Sequence, residues 1–286
     1  MFLYKQYDRE LLDRQYNNRL HVPEFEDYFT RWNLLSRETE DNLSPVKDLA
    51  YGDKEREKLD VYPAARPKAK TLIFIHGGYW QMLDKNMFSF FAGSFHQYGI
   101  TTVLINYPLA PAASMNEIVS SCTRAIEWLW KNISAFNGDP NQMYVVGHSA
   151  GGHLAAMLMT ADWKSLYPDL PADIIKGTCA ISGLFNLIPI HLSFLNKILQ
   201  LDLDSAICNS PVQLKPLSRS KLILAVGDAE TNEFNDQSKE LQTAWEKQSI
   251  ELQLLRLPHL NHYSIIESVR DPESQLHLAI RQLVSI

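Results

Sequence analysis

Gly147-His-Ser-Ala-Gly151 sets a serine between two glycines, directly after the apolar run Met143-Tyr-Val-Val146. A serine hydroxyl attacks a carbonyl only if it projects clear of the backbone and faces a base. A strand that turns sharply into a helix achieves this, and the flanking glycines remove side chains that would clash inside the turn. A helix resuming at about Gly151 also offers unpaired N–H groups to developing negative charge. His76-Gly-Gly-Tyr-Trp80 follows a second apolar run, Thr71-Leu-Ile-Phe-Ile75. Paired glycines let backbone N–H groups approach an oxyanion, which makes Gly77 and Gly78 candidate donors together with Ala150, the residue after the serine. Two histidines stand in Leu257-Pro-His-Leu-Asn-His-Tyr263. His262 is the candidate base, because the loop ends there and a helix-like Tyr-Ser-Ile-Ile-Glu267 begins; His259, behind Pro258, reads as a rim residue. The H-x-x-H spacing shows no third ligand, so no metal site is expected. An acid to orient the base is expected in Gly227-Asp-Ala-Glu-Thr-Asn-Glu233, where Asp228 and Glu230 both qualify.

These segments need a frame that brings them together. Short apolar runs at Leu59–Tyr62, Thr71–Ile75, Thr102–Asn106, Met143–Val146, Gly177–Ser182, Lys221–Val226 and Glu251–Arg256 read as strands. Helical patterns over 86–98, 115–134, 234–247 and 272–284 alternate with them. Such alternation implies right-handed crossovers and a mostly parallel sheet covered on both faces, an α/β fold. Strand–G-x-S-x-G–helix, with the order serine, acid, histidine, specifies the α/β-hydrolase version of that architecture. No internal repeat appears, and one domain over 1–286 is expected. Residues 1–45 read as a polar helical arm. The Leu-, Ile- and Pro-rich stretch at about 185–216 reads as a small cap whose Phe185, Leu192 and Phe194 line the pocket mouth.

Bulk composition fits a globular chain of 286 residues, with 45% hydrophobic and 21% charged residues. A net charge of −6 without a Lys/Arg-rich stretch argues against nucleic acid as a partner. No apolar run reaches the roughly 18 residues of a membrane span, so no membrane partner is expected. The start, Met1-Phe-Leu-Tyr-Lys-Gln-Tyr-Asp-Arg9, is charged too early for a secretory signal. Cys122, Cys179 and Cys208 form no C-x-x-C pair and read as reduced thiols, which points to the cytoplasm.

With HGGYW and GHSAGGHLAA in hand, the chain resembles the hormone-sensitive-lipase group of esterases, and within it the kynurenine formamidases (arylformamidases). Tyr107-Pro-Leu-Ala-Pro111, Asn209-Ser-Pro211, Glu233-Phe-x-x-Gln-Ser238 and, weakly, Gln15-Tyr-Asn-Asn-Arg19 carry the likeness further. The resemblance implies hydrolysis of N-formyl-L-kynurenine, a small molecule, to formate and kynurenine, with no cofactor. In the related esterases the acid stands three residues after the glycine that ends its strand, which implies Glu230 here, a Glu where Asp is usual. Tyr79 and Trp80 flank the oxyanion loop and are expected to form an aromatic wall for the substrate ring. A broad carboxylesterase acting on short acyl esters is the alternative, an inactive binding module on the same fold a more distant one, and a homodimer is compatible with the sequence.

Overall fold

The structure, a computed structural model, describes residues 2–286. Among the described residues, eight strands form one sheet: β1 Val46–Ala50, β2 Lys58–Tyr62, β3 Ala69–Ile75, β4 Thr101–Ile105, β5 Gly138–His148, β6 Ile175–Ile181, β7 Lys221–Gly227 and β8 Leu252–Leu257. Their spatial order is β1-β2-β4-β3-β5-β6-β7-β8. β2 runs antiparallel to β1 and β4, and every pairing from β4 to β8 is parallel. This is the α/β-hydrolase fold. The central strands alternate their contacts with a period of two. Ile73, Ile75, Val103 and Val145 join the core on one face, while Leu72, Phe74, Leu104 and Val146 join the core on the other. A strand buried on both sides has no polar face, which is why these segments read as continuous apolar runs.

The order of the strands positions the chemistry. After β3 the chain moves outward to β4, then returns past β3 to build β5 on the opposite side. The crevice at such a reversal, outside the carboxyl ends of the strands, is where open α/β sheets bind ligands. β3 and β5 are direct neighbours with Ile75 paired to Gly147, so the loop after each leaves the sheet at the same height.

The helices follow the sequence pattern closely: Ser89–His96 continues a 3₁₀ turn, Met115–Asn132 is fixed by a capping box of Ser114 and Glu117, and Asn232–Trp245 and Gln275–Val284 cover the later strands. β1 was not expected from the sequence. It is an edge strand with a mostly exposed, charged face and carries no apolar run to betray it. The segment over 185–216 leaves the sheet after β6 as short helices, Ile188–Leu192, Asn196–Leu199 and Leu203–Cys208. The arm is helical, Arg9–Gln15, Asn18–His21 and Phe25–Leu43, but it is not polar throughout: Trp32 is buried, and Phe25, Tyr28 and Phe29 pack beside it on the apolar core. Among the described residues, no helix is long and apolar enough to cross a membrane.

Candidate active site

Ser149 occupies the turn between β5 and the helix Ala150–Thr160, with φ 58° and ψ −120°. A non-glycine residue costs on the order of 1–3 kcal/mol in such a region, so the surroundings must hold it there. Its N–H donates to Ile181 O at 2.8 Å, and its carbonyl accepts from His153 N at 3.1 Å. The flanking glycines are required by contact. A Cβ on Gly147 would lie 2.0 Å from Gly151 O, and one on Gly151 would lie 1.9 Å from Ile75 O.

Ser149 Oγ–H donates to His262 Nε2 at 3.0 Å, and His262 Nδ1–H donates to Glu230 Oε2 at 2.7 Å. Glu230 Oε1 accepts from Ser182 Oγ at 2.6 Å and from the Gly227 N–H at 2.9 Å. The carboxylate is therefore gripped at both oxygens, one by the loop and one by the imidazole. Asp228 takes a different part: its Oδ1 accepts the His259 N–H at 2.6 Å, tying the loop after β7 to the loop after β8. His259 is exposed, with φ 62°. The sequence had not singled out Ser182, nor His148, whose Nε2–H donates to the His262 carbonyl at 3.0 Å. Burial holds His148 neutral, well below the usual histidine range.

The candidate oxyanion loop is shaped from beneath by Tyr107, to which the sequence assigned no part in the site. Tyr107 Oη–H lies 2.9 Å from His76 O and 3.2 Å from Gly77 O. In a planar trans peptide the N–H points opposite its carbonyl, so the N–H groups of Gly77 and Gly78 are turned away from Tyr107. Gly78 has φ +105°, a conformation that a side chain would disfavour. The loop presses on the elbow, since a Cβ on Gly77 would lie 2.9 Å from Ser149 Cβ. Ala150 opens its helix, and its N–H has no intrahelical acceptor.

A cavity of about 290 Å³ opens over Ser149 and His262. Tyr79 lines it, and its hydroxyl donates to Tyr16 O at 2.6 Å. Trp80 does not line it, which corrects the expected aromatic wall. Positive φ at both Tyr79 and Trp80 turns the indole beneath the loop, where it is fully buried and donates from Nε1 to His153 Nδ1 at 3.1 Å. The cap expectation is also corrected in part. Phe194 lines the cavity, whereas Phe185 is buried against Ala156 and Trp245, and Leu192 packs on the core. Much of the wall comes instead from the arm, through Tyr16, Asn18, Arg19, Phe29 and Trp32. The signal was present in the sequence, as the aromatic spacing Phe25, Tyr28, Phe29, Trp32 of an amphipathic helix. Among the described residues, no group of three or more His, Cys, Asp or Glu side chains is arranged to hold a metal ion.

The sheet order, the strained serine and its hydrogen-bonded histidine and carboxylate together define a serine-type hydrolase of the α/β-hydrolase fold. Residues 59–178 match the family model described as BD-FAE. The chain is 35% identical to a kynurenine formamidase of Salmo salar over 80% of this chain and 78% of that one. It is 36% identical to a kynurenine formamidase of Danio rerio over 79% and 77% of the two chains. A solved structure from Silicibacter sp., provisionally described as a thioesterase, superposes with a TM-score of 0.83 at 29% identity, covering 94% of this chain and 98% of that one. The chain belongs to the kynurenine formamidase family.

Proposed function

We propose that the chain hydrolyses the formamide of N-formyl-L-kynurenine, with Ser149 as nucleophile, His262 as general base and acid, and Glu230 as the group that orients His262. The observation that carries this reading is the unbroken hydrogen-bond line Glu230–His262–Ser149 at the floor of a small cavity in a chain of this family. Ser149 Oγ attacks the formyl carbon as its proton passes to His262 Nε2, and Glu230 stabilises the imidazolium. The carbonyl electron pair moves onto oxygen, where the N–H groups of Gly77, Gly78 and Ala150 receive it. On collapse the C–N bond breaks, and His262 gives its proton to the departing aryl nitrogen. Water then attacks the formyl ester, leaving its proton on His262. The second collapse returns that proton to Ser149 Oγ and releases formic acid, which loses its remaining proton to water as formate. The aryl ring draws in the nitrogen lone pair and weakens the amide. Tyr79 offers a ring face to it, and no cofactor enters any step.

A formyl group needs almost no acyl pocket, which suits a loop that lies against Ser149. The test is a series of N-acyl kynurenines. We expect kcat/KM to fall from formyl to acetyl to butyryl. A rise along that series would favour a carboxylesterase of short acyl esters and overturn the formamidase reading.

A further inference from the structure

Among the described residues that line the cavity over Ser149 there is no carboxylate, and Arg19 is the one permanently charged side chain. Its guanidinium makes no ion pair among the described residues. Arg31, Arg56 and Arg124 do, with Glu267, Asp84 and Glu57. Arg19 is held instead by weak platforms: it lies 4.9 Å over the Phe25 ring, and Nη2 stands 3.5 Å from Met82 Sδ. Such contacts orient a guanidinium while leaving most of its fork of donors vacant, the state suited to a bidentate carboxylate.

The mounting of Arg19 links it to the reacting atoms. Its short helix Asn18–His21 is fixed by the Asn17 side chain, which accepts the Leu20 N–H at 3.3 Å. Asn18 Nδ2–H donates to Tyr79 Oη at 3.3 Å, and Tyr79 belongs to the oxyanion loop. The charge also reaches Tyr263, next to His262, where it opposes the rise in the phenol pKa that burial causes. Gln81 lines the same cavity, and its side-chain oxygen is buried with no hydrogen-bond partner among the described residues. A ligand with a carboxylate and a neighbouring ammonium matches a vacant guanidinium and an unused amide.

We propose that Arg19 is a specificity-determining residue that binds the α-carboxylate at the amino-acid end of the substrate. This rests on N-formylkynurenine, an amino-acid formamide, being the substrate. The arm is then part of the substrate site, and its cation selects an amino-acid formamide over a plain formanilide.

The experiment compares N-formyl-L-kynurenine with 2′-formamidoacetophenone, which keeps the ring ketone and formamide but lacks the amino-acid end. Wild type, Arg19→Met and Arg19→Lys are measured, with circular dichroism to verify the fold. Arg19→Met should lower the kcat/KM ratio of the charged over the neutral formamide by about 10- to 100-fold, mainly through KM. Arg19→Lys should recover part of that ratio, since it keeps the charge and loses the fork. Added salt should erode the wild-type ratio and leave that of Arg19→Met flat. A ratio within twofold of wild type in Arg19→Met, or equal losses on both substrates, overturns the proposal. If wild type cleaves neither formamide, the proposed function falls. A pair of phenyl acetates with and without a distal carboxylate then decides Arg19 by the same ratio.

Discussion

Replacing Glu230 with Gln changes one atom of the carboxylate, and the surrounding loop decides the effect on catalysis. Oε1 receives two hydrogen bonds, from Ser182 Oγ at 2.6 Å and Gly227 N at 2.9 Å, while Oε2 receives His262 Nδ1–H at 2.7 Å. The Ser182 hydroxyl can rotate and accept, but the Gly227 N–H can only donate. The Gln oxygen is therefore drawn to the Gly227 side, and its NH₂ group faces His262. That arrangement favours the tautomer with the proton on Nε2, which cannot take a proton from Ser149 Oγ. Turning the amide restores the productive tautomer but sets NH₂ against the Gly227 N–H. Leaving that donor unmet costs about 1–3 kcal/mol, or roughly 5- to 150-fold in population. Loss of the negative charge beneath the imidazolium adds to this, and comparable substitutions in triads reach about 10⁴-fold in kcat. We expect kcat on N-formylkynurenine to fall by about 10³- to 10⁴-fold, about 4–5.5 kcal/mol of activation free energy, with the far-ultraviolet dichroism unchanged. Steady-state kinetics of Glu230→Gln beside Asp228→Asn provide the assay. Activity of Glu230→Gln within tenfold of wild type, or an equal collapse in Asp228→Asn, would remove Glu230 from the role of orienting acid.

Asp228→Asn should keep more than about a third of kcat, because an amide oxygen can still accept the His259 N–H, and the same kinetics read it. Tyr107→Phe removes the hydroxyl that turns two peptide carbonyls away from the site, so kcat should fall about tenfold with KM nearly constant; an unchanged kcat would mean that the loop holds its shape unaided. Burial lowers the pKa of His76 and of His153 from 6.5 to about 4. Above pH 6.5 both folded and unfolded chains leave these rings neutral. As pH falls from 6.5 toward 4 the unfolded chain takes up the protons first, so stability is lost across that window at up to about 1.4 kcal/mol per pH unit for each ring. Urea unfolding midpoints at pH 7.5, 6 and 5 should fall in that order, and a flat series would contradict the assignment.

Where the sequence was legible, a local segment carried its own backbone requirement. Gly147 and Gly151 are needed for contacts within the elbow and with the end of β3, so motif and geometry are one statement. The candidate acid was harder, since Asp228 and Glu230 share a loop and only the hydrogen bonds separate a carboxylate on His262 Nδ1 from a tie between loops. Trp80 was misread because the direction of its side chain depends on positive φ at Tyr79 and Trp80, which residue type does not reveal. Phe185 was misplaced for a related reason: its backbone N–H is held by Gln237 Oε1 at 2.7 Å, a partner far along the chain. The arm's part in the cavity depends on long-range closure. Tyr16 Oη–H donates to Glu233 at 3.0 Å across most of the sequence, and burial raises the Glu233 pKa while Lys5 and Tyr16 oppose that rise.

Formamide hydrolysis by Ser149 is open to a direct measurement. Purified wild type and Ser149→Ala are each supplied with N-formylkynurenine and, separately, with a short p-nitrophenyl ester, in one set of kcat/KM values. Wild type should cleave the formamide efficiently and with a higher kcat/KM than the ester, and a folded Ser149→Ala should lose both activities. Formamide turnover that survives the loss of Ser149 would rule the serine out as nucleophile, and a wild type that cleaves the ester yet leaves N-formylkynurenine intact would rule out the formamidase function.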